Sequence, residues 1–318
     1  MTATKTKPDW AGDDLLSHVV NILIRVKPFY AVMKRQARRV LIQTAEKNGI
    51  PWRQSCQSLE ASDVKQQLSD IEDTRVSYPD YYRVPFHAYD DGNLCWLAAF
   101  EAESATYSMA LRIWPYESLT WQTAQQRLRS ACYHTMRERL SWPVNDVLDI
   151  GCSVGISSQY LHQFLQEQQT QPVHTIGLDL SPQMLSVARF RDAQQLISLW
   201  VHAAAEHTGF SDASFDLVSL QFVLHELPRQ ATQSILREIY RILRPGGLLL
   251  ILDNDPQSPI IQGLPPALFT LMKSTEPWSD EYYTTDVVDV LKSCGFENIT
   301  TTATDPRHRT ILASVIKK

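Results

Sequence analysis

The stretch VLDIGCSVGISSQYL, residues 147–161, combines a short apolar run, an acid, two glycines and a helical pattern. This order predicts a β-strand that passes through a glycine turn into a helix. In a parallel sheet, the backbone N–H groups and the positive end of such a helix face a cleft at the carboxyl end of the strand. The stretch therefore predicts a cleft that binds a nucleoside-containing ligand.

Short β-rich runs alternate with helical patterns from about Asp146 onward. Ser181-Pro182 is typical of an N-cap followed by the first helical residue, and Arg244-Pro245-Gly246-Gly247 is expected to end a later helix. This alternation predicts an α/β fold with a doubly wound, Rossmann-like sheet. The predicted strands lie in DVLDIG, VHTIGLDL, ISLWVHAA, FDLVSLQF, LLLILDN, ENITTTATD and TILASVIKK.

The first 140 residues lack this alternation and are predicted to be mostly helical. An amphipathic stretch from Asp13 to Asn48 is interrupted at Pro28. The segment YPDYYRVPFHAYDDGNLCW, residues 78–96, is rich in rings and turn residues, which favours an ordered irregular loop over a linker. We therefore expect a helical N-terminal region over residues 1–140 and a sheet domain over residues 141–318.

Composition excludes several classes of protein. A net charge of −5 gives no global attraction to nucleic acid. The five cysteines are scattered without a CxxC pair, which predicts free thiols in a reducing compartment and no structural metal. Neither a signal peptide nor a spanning helix is evident, so we expect a cytoplasmic protein.

A basic stretch near the N-terminus leaves one further partner open. It lies beside the apolar run VVNILI, so its cations would suit peripheral contact with an anionic membrane, although a solvated helix face is the favoured interpretation. The cations are Arg25, Lys27, Lys34, Arg35, Arg38 and Arg39.

Two classes of cofactor compete for the predicted cleft. The dinucleotide fingerprint G-x-G-x-x-G is not met. Ser153 occupies the position of its second glycine, and its third glycine is missing. The motifs LDIGCSVG, GLDLS, SFDLVSLQFVLHEL and RILRPGG instead resemble those of class I S-adenosylmethionine-dependent methyltransferases, in order and in spacing. The resemblance covers roughly residues 130–318 and implies a seven-stranded sheet. The whole chain also resembles uncharacterised methyltransferases of cyanobacteria and plastids.

The resemblance implies S-adenosyl-L-methionine as cofactor, S-adenosyl-L-homocysteine as product, and a role for each matching residue. Gly151 and Gly155 would lie against the methionine portion, and Asp149 would contact its ammonium directly or through water. Asp179 would accept hydrogen bonds from both ribose hydroxyls, a bidentate contact that suits a carboxylate. Many family members have an acid near the adenine where this chain has Ala204. The other implied cofactor residues are Leu180, Ala205 and Glu206 near the adenosine, and Gln221 at the sulfonium.

Catalysis and acceptor binding are predicted less sharply. His225 in VLHEL is the candidate base, and the alternative, a histidine that packs at the start of a helix, is favoured. Two ring-rich segments and the turn DPRHR are expected to flank the cleft. The candidate acceptor residues are Tyr78, Tyr82, His87, Tyr89, Tyr282, Tyr283, Arg307 and His308, with a lid formed by Leu268, Phe269, Leu271 and Met272.

The sequence thus predicts a methyltransferase that acts on a small aromatic or apolar acceptor by in-line displacement. A protein side chain as acceptor remains an alternative, because a helical region of ~140 residues is large for recognition of a small molecule. From other classes, an NAD(P)-dependent oxidoreductase is disfavoured by the glycine spacing. A catalytically silent subunit that keeps the cofactor fold is the third possibility.

Overall fold

A computed structural model describes residues 26–87, 89–265 and 274–316, together with Leu15, His18, Val19 and Ile22. Within these residues, the sheet contains each strand that the sequence predicts. The strands are β1 (Asp146–Ile150), β2 (His174–Asp179), β3 (Leu199–His202), β4 (Phe215–Gln221), β5 (Leu243–Asn254), β6 (Phe296–Ala303) and β7 (His308–Val315).

The sheet is seven-stranded and doubly wound, in the order β3-β2-β1-β4-β5-β7-β6. The first five strands are parallel, and β7 is antiparallel to both β5 and β6. The strand order reverses between β1 and β4, the position at which open α/β sheets bind ligands beyond the carboxyl ends of their strands. Because Asn254 at the end of β5 pairs with His308, the β6–β7 turn lies at this same edge of the sheet, as predicted.

Helices cover both faces of the sheet and form most of the N-terminal region. Ser181 caps the helix after β2, since its Oγ accepts a hydrogen bond from Met184 N at 3.2 Å. Pro28 lies in the first turn of a helix that begins at Lys27. The helices are α1 (Lys27–Lys47), α2 (Trp52–Glu60), α3 (Leu68–Ile71), α4 (Trp96–Leu111), α5 (Trp121–Arg137), α6 (Ile156–Glu167), α7 (Pro182–Arg191), α8 (Arg229–Ile242), α9 (Pro259–Gln262), α10 (Ser279–Thr284) and α11 (Val287–Ser293).

The central strands form the core because both of their faces are covered. Helix α5 packs against one face and shares a buried cluster with β1, β4 and β7, in which Leu128 and Met136 contact residues such as Val147. Helices α8 and α11 pack against the other face. The near-continuous apolar runs of β1, β4 and β5 are typical of strands buried on both sides. All five cysteines are free thiols, as predicted.

The irregular loop of residues 78–95 joins the two halves of the chain. Its backbone is held by a short bridge between Phe86 and Tyr89. His87 N donates a hydrogen bond to Thr275 O at 2.8 Å, and Trp278 Nε1 donates one to Tyr81 O at 3.3 Å. The two ring-rich segments of the sequence therefore contact each other.

Several predicted residues lie outside the described part of the chain. These are the lid residues Leu268, Phe269, Leu271 and Met272, together with Arg25 and the side chains of Lys27 and Lys34. Val32 and Val40 of α1 are exposed, so contact with a membrane surface stays a prediction. No helix of the described segments has both the length and the apolar character needed to cross a membrane.

Candidate cofactor and acceptor site

A cavity of about 910 Å³ opens at the carboxyl edge of the sheet, between the strand ends and the N-terminal region. Its wall includes Gly151 after β1, Asp179 at the end of β2 and Gln221 at the end of β4. The opposite wall comes from the loop of residues 78–95 and from α4. The two halves of the chain thus enclose one cavity, and most of the predicted site residues line it.

The glycine turn needs its glycines for both conformation and packing. Gly151 and Gly155 have φ angles of 69° and 83°, which side chains rarely adopt. A Cβ at Gly151 would lie 2.6 Å from Val223 Cγ2, and one at Gly155 would lie 2.5 Å from the Trp200 ring. Gly151 lines the cavity, whereas Gly155 is the N-cap of α6 and packs on Trp200 outside it. Gly151 is therefore placed to contact a ligand, whereas Gly155 is not.

Asp179 is held as an acceptor at the cavity wall. Its Oδ2 accepts a hydrogen bond from Ser153 N and its Oδ1 one from Ser181 N, both at 2.8 Å. Burial raises the pKa of this carboxyl to about 6, although these backbone N–H groups favour the charged form. At neutral pH the side chain is thus a carboxylate with lone pairs left for a ligand.

Asp149 occupies a different position from the one expected. It is fully buried beneath the glycine turn and does not line the cavity. Its Oδ2 accepts hydrogen bonds from Ser157 Oγ and Ser158 Oγ, both at 2.7 Å, and its Oδ1 has no partner among the described groups. The side chain is directed at the first turn of α6, so a direct contact with an ammonium is not supported, and a contact through water stays a prediction.

The predicted adenine side of the cavity contains a second orphaned carboxylate oxygen. Leu180, Ala205 and Glu206 all line the cavity. Tyr81 Oη donates a hydrogen bond to Glu206 Oε1 at 2.6 Å, while Oε2 is buried without a partner in the described residues. Glu206 thus keeps one oxygen for a donor such as an adenine amine.

Arg129 of α5 is a site residue that sequence reasoning missed. It is 3% exposed, lines the cavity and donates a hydrogen bond from Nη1 to Gln221 Oε1. Its Nε has no partner among the described groups. A signal was present, since Gln125, Arg129 and Tyr133 recur at four-residue spacing on the buried face of the helix.

His225 is locked in a buried pair. Its Nδ1 lies 2.7 Å from Asp253 Oδ1. Burial disfavours the imidazolium, but the charge of Asp253 and its hydrogen bond overcome this and raise the pKa of His225 to about 10. Because a protonated imidazole cannot take up a proton, the structure favours the packing interpretation over a base.

His87 and two acids form a separate group on the same wall. His87 Nε2 lies 3.4 Å from Glu226 Oε1 and 4.0 Å from Glu276 Oε1. Burial, aided by the charge of His225, lowers the pKa of His87 to about 3, and burial raises the pKa of Glu226 to about 8. At pH 7, His87 is therefore neutral and Glu226 is protonated.

The predicted acceptor residues divide into two sets. Tyr82, His87, Tyr89, Arg307 and His308 line the cavity. Tyr78, Tyr282 and Tyr283 do not line it, and their role in acceptor binding stays a prediction. Tyr78 Oη lies 3.2 Å from His202 Nε2, and Tyr282 and Tyr283 are core residues that are 4% and 2% exposed. The rings of Tyr282 and Tyr283 belong to the core cluster that α8 and α11 form with one face of the sheet.

This strand order, with a glycine turn after β1 and an acid at the end of β2, defines a class I methyltransferase. The methyltransferase domain family matches residues 148–251. An uncharacterised methyltransferase of Synechocystis is 32% identical over 155 residues, which are 48% of this chain and 68% of that protein. The chain belongs to the S-adenosylmethionine-dependent methyltransferases.

Two further relatives extend the comparison. The demethylmenaquinone methyltransferase of Lactiplantibacillus plantarum is 38% identical over 120 residues, which are 36% of this chain and 48% of that enzyme. The chain thus spans about half the length of this relative. Phosphoethanolamine N-methyltransferase 2 of Haemonchus contortus, solved with S-adenosyl-L-methionine, has a TM-score of 0.51 at 16% identity over 76% of this chain and 61% of that chain. This last likeness shows the fold alone.

Proposed function

We propose that the cavity binds S-adenosylmethionine beside a small aromatic or apolar acceptor, to which the methyl group is transferred. The observation that carries this proposal is that one enclosed space borders both the glycine turn with Asp179 and the ring-rich loop of residues 78–95. Residues 141–318 supply the cofactor side and residues 1–140 the acceptor side, although α5 packs within the core of the sheet.

The residues of the cavity fit the cofactor. Asp179 has the geometry to accept the ribose hydroxyls, and the free oxygen of Glu206 suits the adenine amine. Arg129 is a buried cation beside Gln221, with an unpartnered N–H that suits the carboxylate of the methionine portion. Asp149 supports the turn from below by holding the first turn of α6.

The cofactor supplies the reactive methyl sulfonium, so the protein contributes alignment and exclusion of water. Gln221 ends β4 and Phe222 and Val223 follow it, and all three line the cavity where the acceptor would approach. His225 is fixed by Asp253 and holds the segment after β4 in place, since its backbone N also donates to Asp253 Oδ2 at 3.2 Å. Glu226 is the group suited to take up a proton from an acceptor hydroxyl or amine, because its pKa of about 8 lies near working pH and its carboxylate form is therefore accessible. His87, with a pKa of about 3, is too weak a base.

A small acceptor is favoured over a protein side chain because both halves of the chain line the cavity and leave room for a small molecule. The rings of Tyr82, Phe86 and Tyr89 line it and provide stacking surface. By its name, the relative from Lactiplantibacillus plantarum methylates demethylmenaquinone, a small molecule, and this supports a small acceptor here.

Label partition tests this function directly. The protein is incubated with methyl-labelled S-adenosylmethionine and a lysate of its native cells, and the label is followed into the organic-soluble fraction and the protein pellet. We expect the label in the organic-soluble fraction. Label confined to the pellet would establish a protein acceptor, and binding of the cofactor without transfer to either fraction would identify a silent subunit.

A further inference from the structure

Two guanidinium groups that the proposed cofactor contacts do not use line one part of the cavity. Arg112 follows the last residue of α4, and Arg307 lies in the β6–β7 turn. Burial and then the positive charge of Arg307 lower the pKa of Arg112, so the two cations are close enough to repel each other. Among the described residues, Arg112 has neither a hydrogen bond nor an ion pair from its side chain to an acid.

Two acids near Arg307 form no ion pair with either guanidinium in the described part of the chain. Asp305 accepts hydrogen bonds from His308 Nδ1 at 2.8 and 3.0 Å and from the backbone N of Arg307 at 2.7 Å. Glu276 also lies near Arg307, and burial raises its pKa despite the charges of His225 and Arg307. The side chain of Arg307 is oriented by Nε, which donates to Asn254 Oδ1 at 3.3 Å and leaves the remaining guanidinium N–H groups for a ligand.

An aromatic residue with a strained backbone lines the same cavity. Phe222 has a φ of 62°, a rare angle for a bulky residue that persists only where the surroundings require it. Its ring is 5.4 Å from the Arg129 guanidinium and 5.1 Å from the His308 ring. The cavity therefore combines a flat apolar surface with two cations that have no ion pair among the described residues.

We propose that Arg112 and Arg307 bind an oxyanion of the acceptor, a carboxylate or a phosphate, while its apolar part lies against Phe222. Guanidinium groups bind both oxyanions through paired N–H donors, and an anion between two cations removes their mutual repulsion. This inference rests on the proposed function, since it assumes that the acceptor occupies the cavity. The inference makes the proposed class of acceptor more specific: a small molecule that is partly apolar and carries an anionic group.

Anion exchange separates the two possibilities in one experiment. A small-molecule extract of the native cells is divided at pH 8 into a retained, anionic fraction and a flow-through fraction. Each fraction is incubated with the protein and methyl-labelled S-adenosylmethionine. We expect label to enter the retained fraction. Phosphatase treatment beforehand abolishes that labelling if the oxyanion is a phosphate and leaves it unchanged if it is a carboxylate.

Substitutions then connect the labelling to the two arginines. At limiting extract, Arg112→Gln and Arg307→Gln are each expected to lower labelling by about tenfold, because one charge-assisted contact to the oxyanion is lost. Arg307→Lys should restore part of it. The exposed Arg237→Gln is the matched control, and calorimetric affinity for S-adenosylmethionine should stay at the wild-type value in every variant.

Each other outcome has a defined meaning. Label in the flow-through fraction alone, or variants that label as well as the wild type, would overturn the anion site and leave the proposed function intact. Loss of S-adenosylmethionine affinity in the variants would place the arginines in the cofactor site, which also overturns it. Label in neither fraction, with the cofactor bound, would contradict the proposed function itself.

Discussion

Burial shifts the protonation of the side chains around the cavity in opposite directions. Asp179 and Glu226 are carboxyls whose pKa values rise to about 6 and about 8, while the pKa of His87 falls to about 3. His225 is the exception, because the charge of Asp253 outweighs burial. At neutral pH, one of the two carboxyls beside the cavity is charged and the other is neutral, and the same is true of the two histidines.

The raised pKa of Asp179 predicts how binding depends on pH. The ribose contact needs the charged carboxylate, so the affinity for S-adenosylmethionine should be constant between pH 6.5 and 7.5 and fall by about tenfold for each pH unit below 6. Calorimetric titrations from pH 5 to 7.5 measure this. An affinity that stays flat down to pH 5 would contradict the assigned contact.

The His225–Asp253 pair predicts an altered titration. In Asp253→Asn the pKa of His225 should fall well below 10, because burial is then opposed only by the charges of Glu276 and Glu226. NMR titration of the imidazole measures this. Because the folded-state pKa lies above the unfolded one, the stability supplied by the pair is complete below about pH 6.5 and lost as the pH rises through about 10.

The same variant therefore loses free energy of unfolding mainly at neutral pH. The loss should be about 1–3 kcal/mol at pH 6.5 and smaller at pH 10.5. Asp212→Asn on the surface is the control, since the Asp212 side chain is 77% exposed and pairs with Arg241. An equal loss at both pH values would show that the pair is not ionised as described.

For single residues, the sequence could not predict a role that depends on the direction of the side chain. The sequence pattern identified Asp179 because a carboxylate at the end of a parallel strand must lie at the cleft. It could not show that Asp149 is directed at Ser157 and Ser158 instead. Nor could periodicity reveal Phe222, whose left-handed backbone is imposed by tertiary packing.

At the scale of elements, local signals fixed most of the sheet domain. The predicted strands match β1 to β7, and the helix before Arg244 ends at Ile242, because apolar runs, caps and glycine turns all agree. Helix α10 is the failure of the same reasoning. Its tyrosines are expected at the acceptor site but pack in the core. A helix of six residues within a long connection is too short for its sequence pattern to show which side faces the core.

The cap of α7 gives a prediction at this scale. Ser181 Oγ accepts a hydrogen bond from Met184 N and donates one to Asn93 O at 2.8 Å, so it caps the helix and ties the N-terminal region to it. Ser181→Ala should lower the free energy of unfolding by about 1–2 kcal/mol in chemical denaturation. Ser293→Ala, on the exposed end of α11, is the control and should change it by less than about 0.5 kcal/mol.

For the whole molecule, the cavity couples the two halves of the chain. Tyr81 reaches Glu206 across the cavity wall, and His87 and Tyr81 are bonded to residues 275–278. No local pattern predicts these contacts, because they join residues about 125 to 200 positions apart. The sequence predicted both segments as neighbours of the cleft but not their contact with each other.

Hydrogen exchange can detect this coupling. Addition of S-adenosylmethionine should slow exchange in the β1–α6 turn and also in residues 78–95, which the cofactor reaches only across the cavity. The backbone of α11 lies away from the cavity and should be unchanged. Protection restricted to the turn would mean that the N-terminal region does not close over the cofactor.

The central claim is that Asp179 and the glycine turn bind S-adenosylmethionine, and calorimetry on a single variant tests it most directly. The wild type should bind the cofactor, and Asp179→Ala should weaken binding by about 100-fold or more, because a charge-assisted contact to two hydroxyls is removed. Asp212→Ala, at the surface, should bind as the wild type does. Unchanged affinity in a folded Asp179→Ala variant would contradict the account.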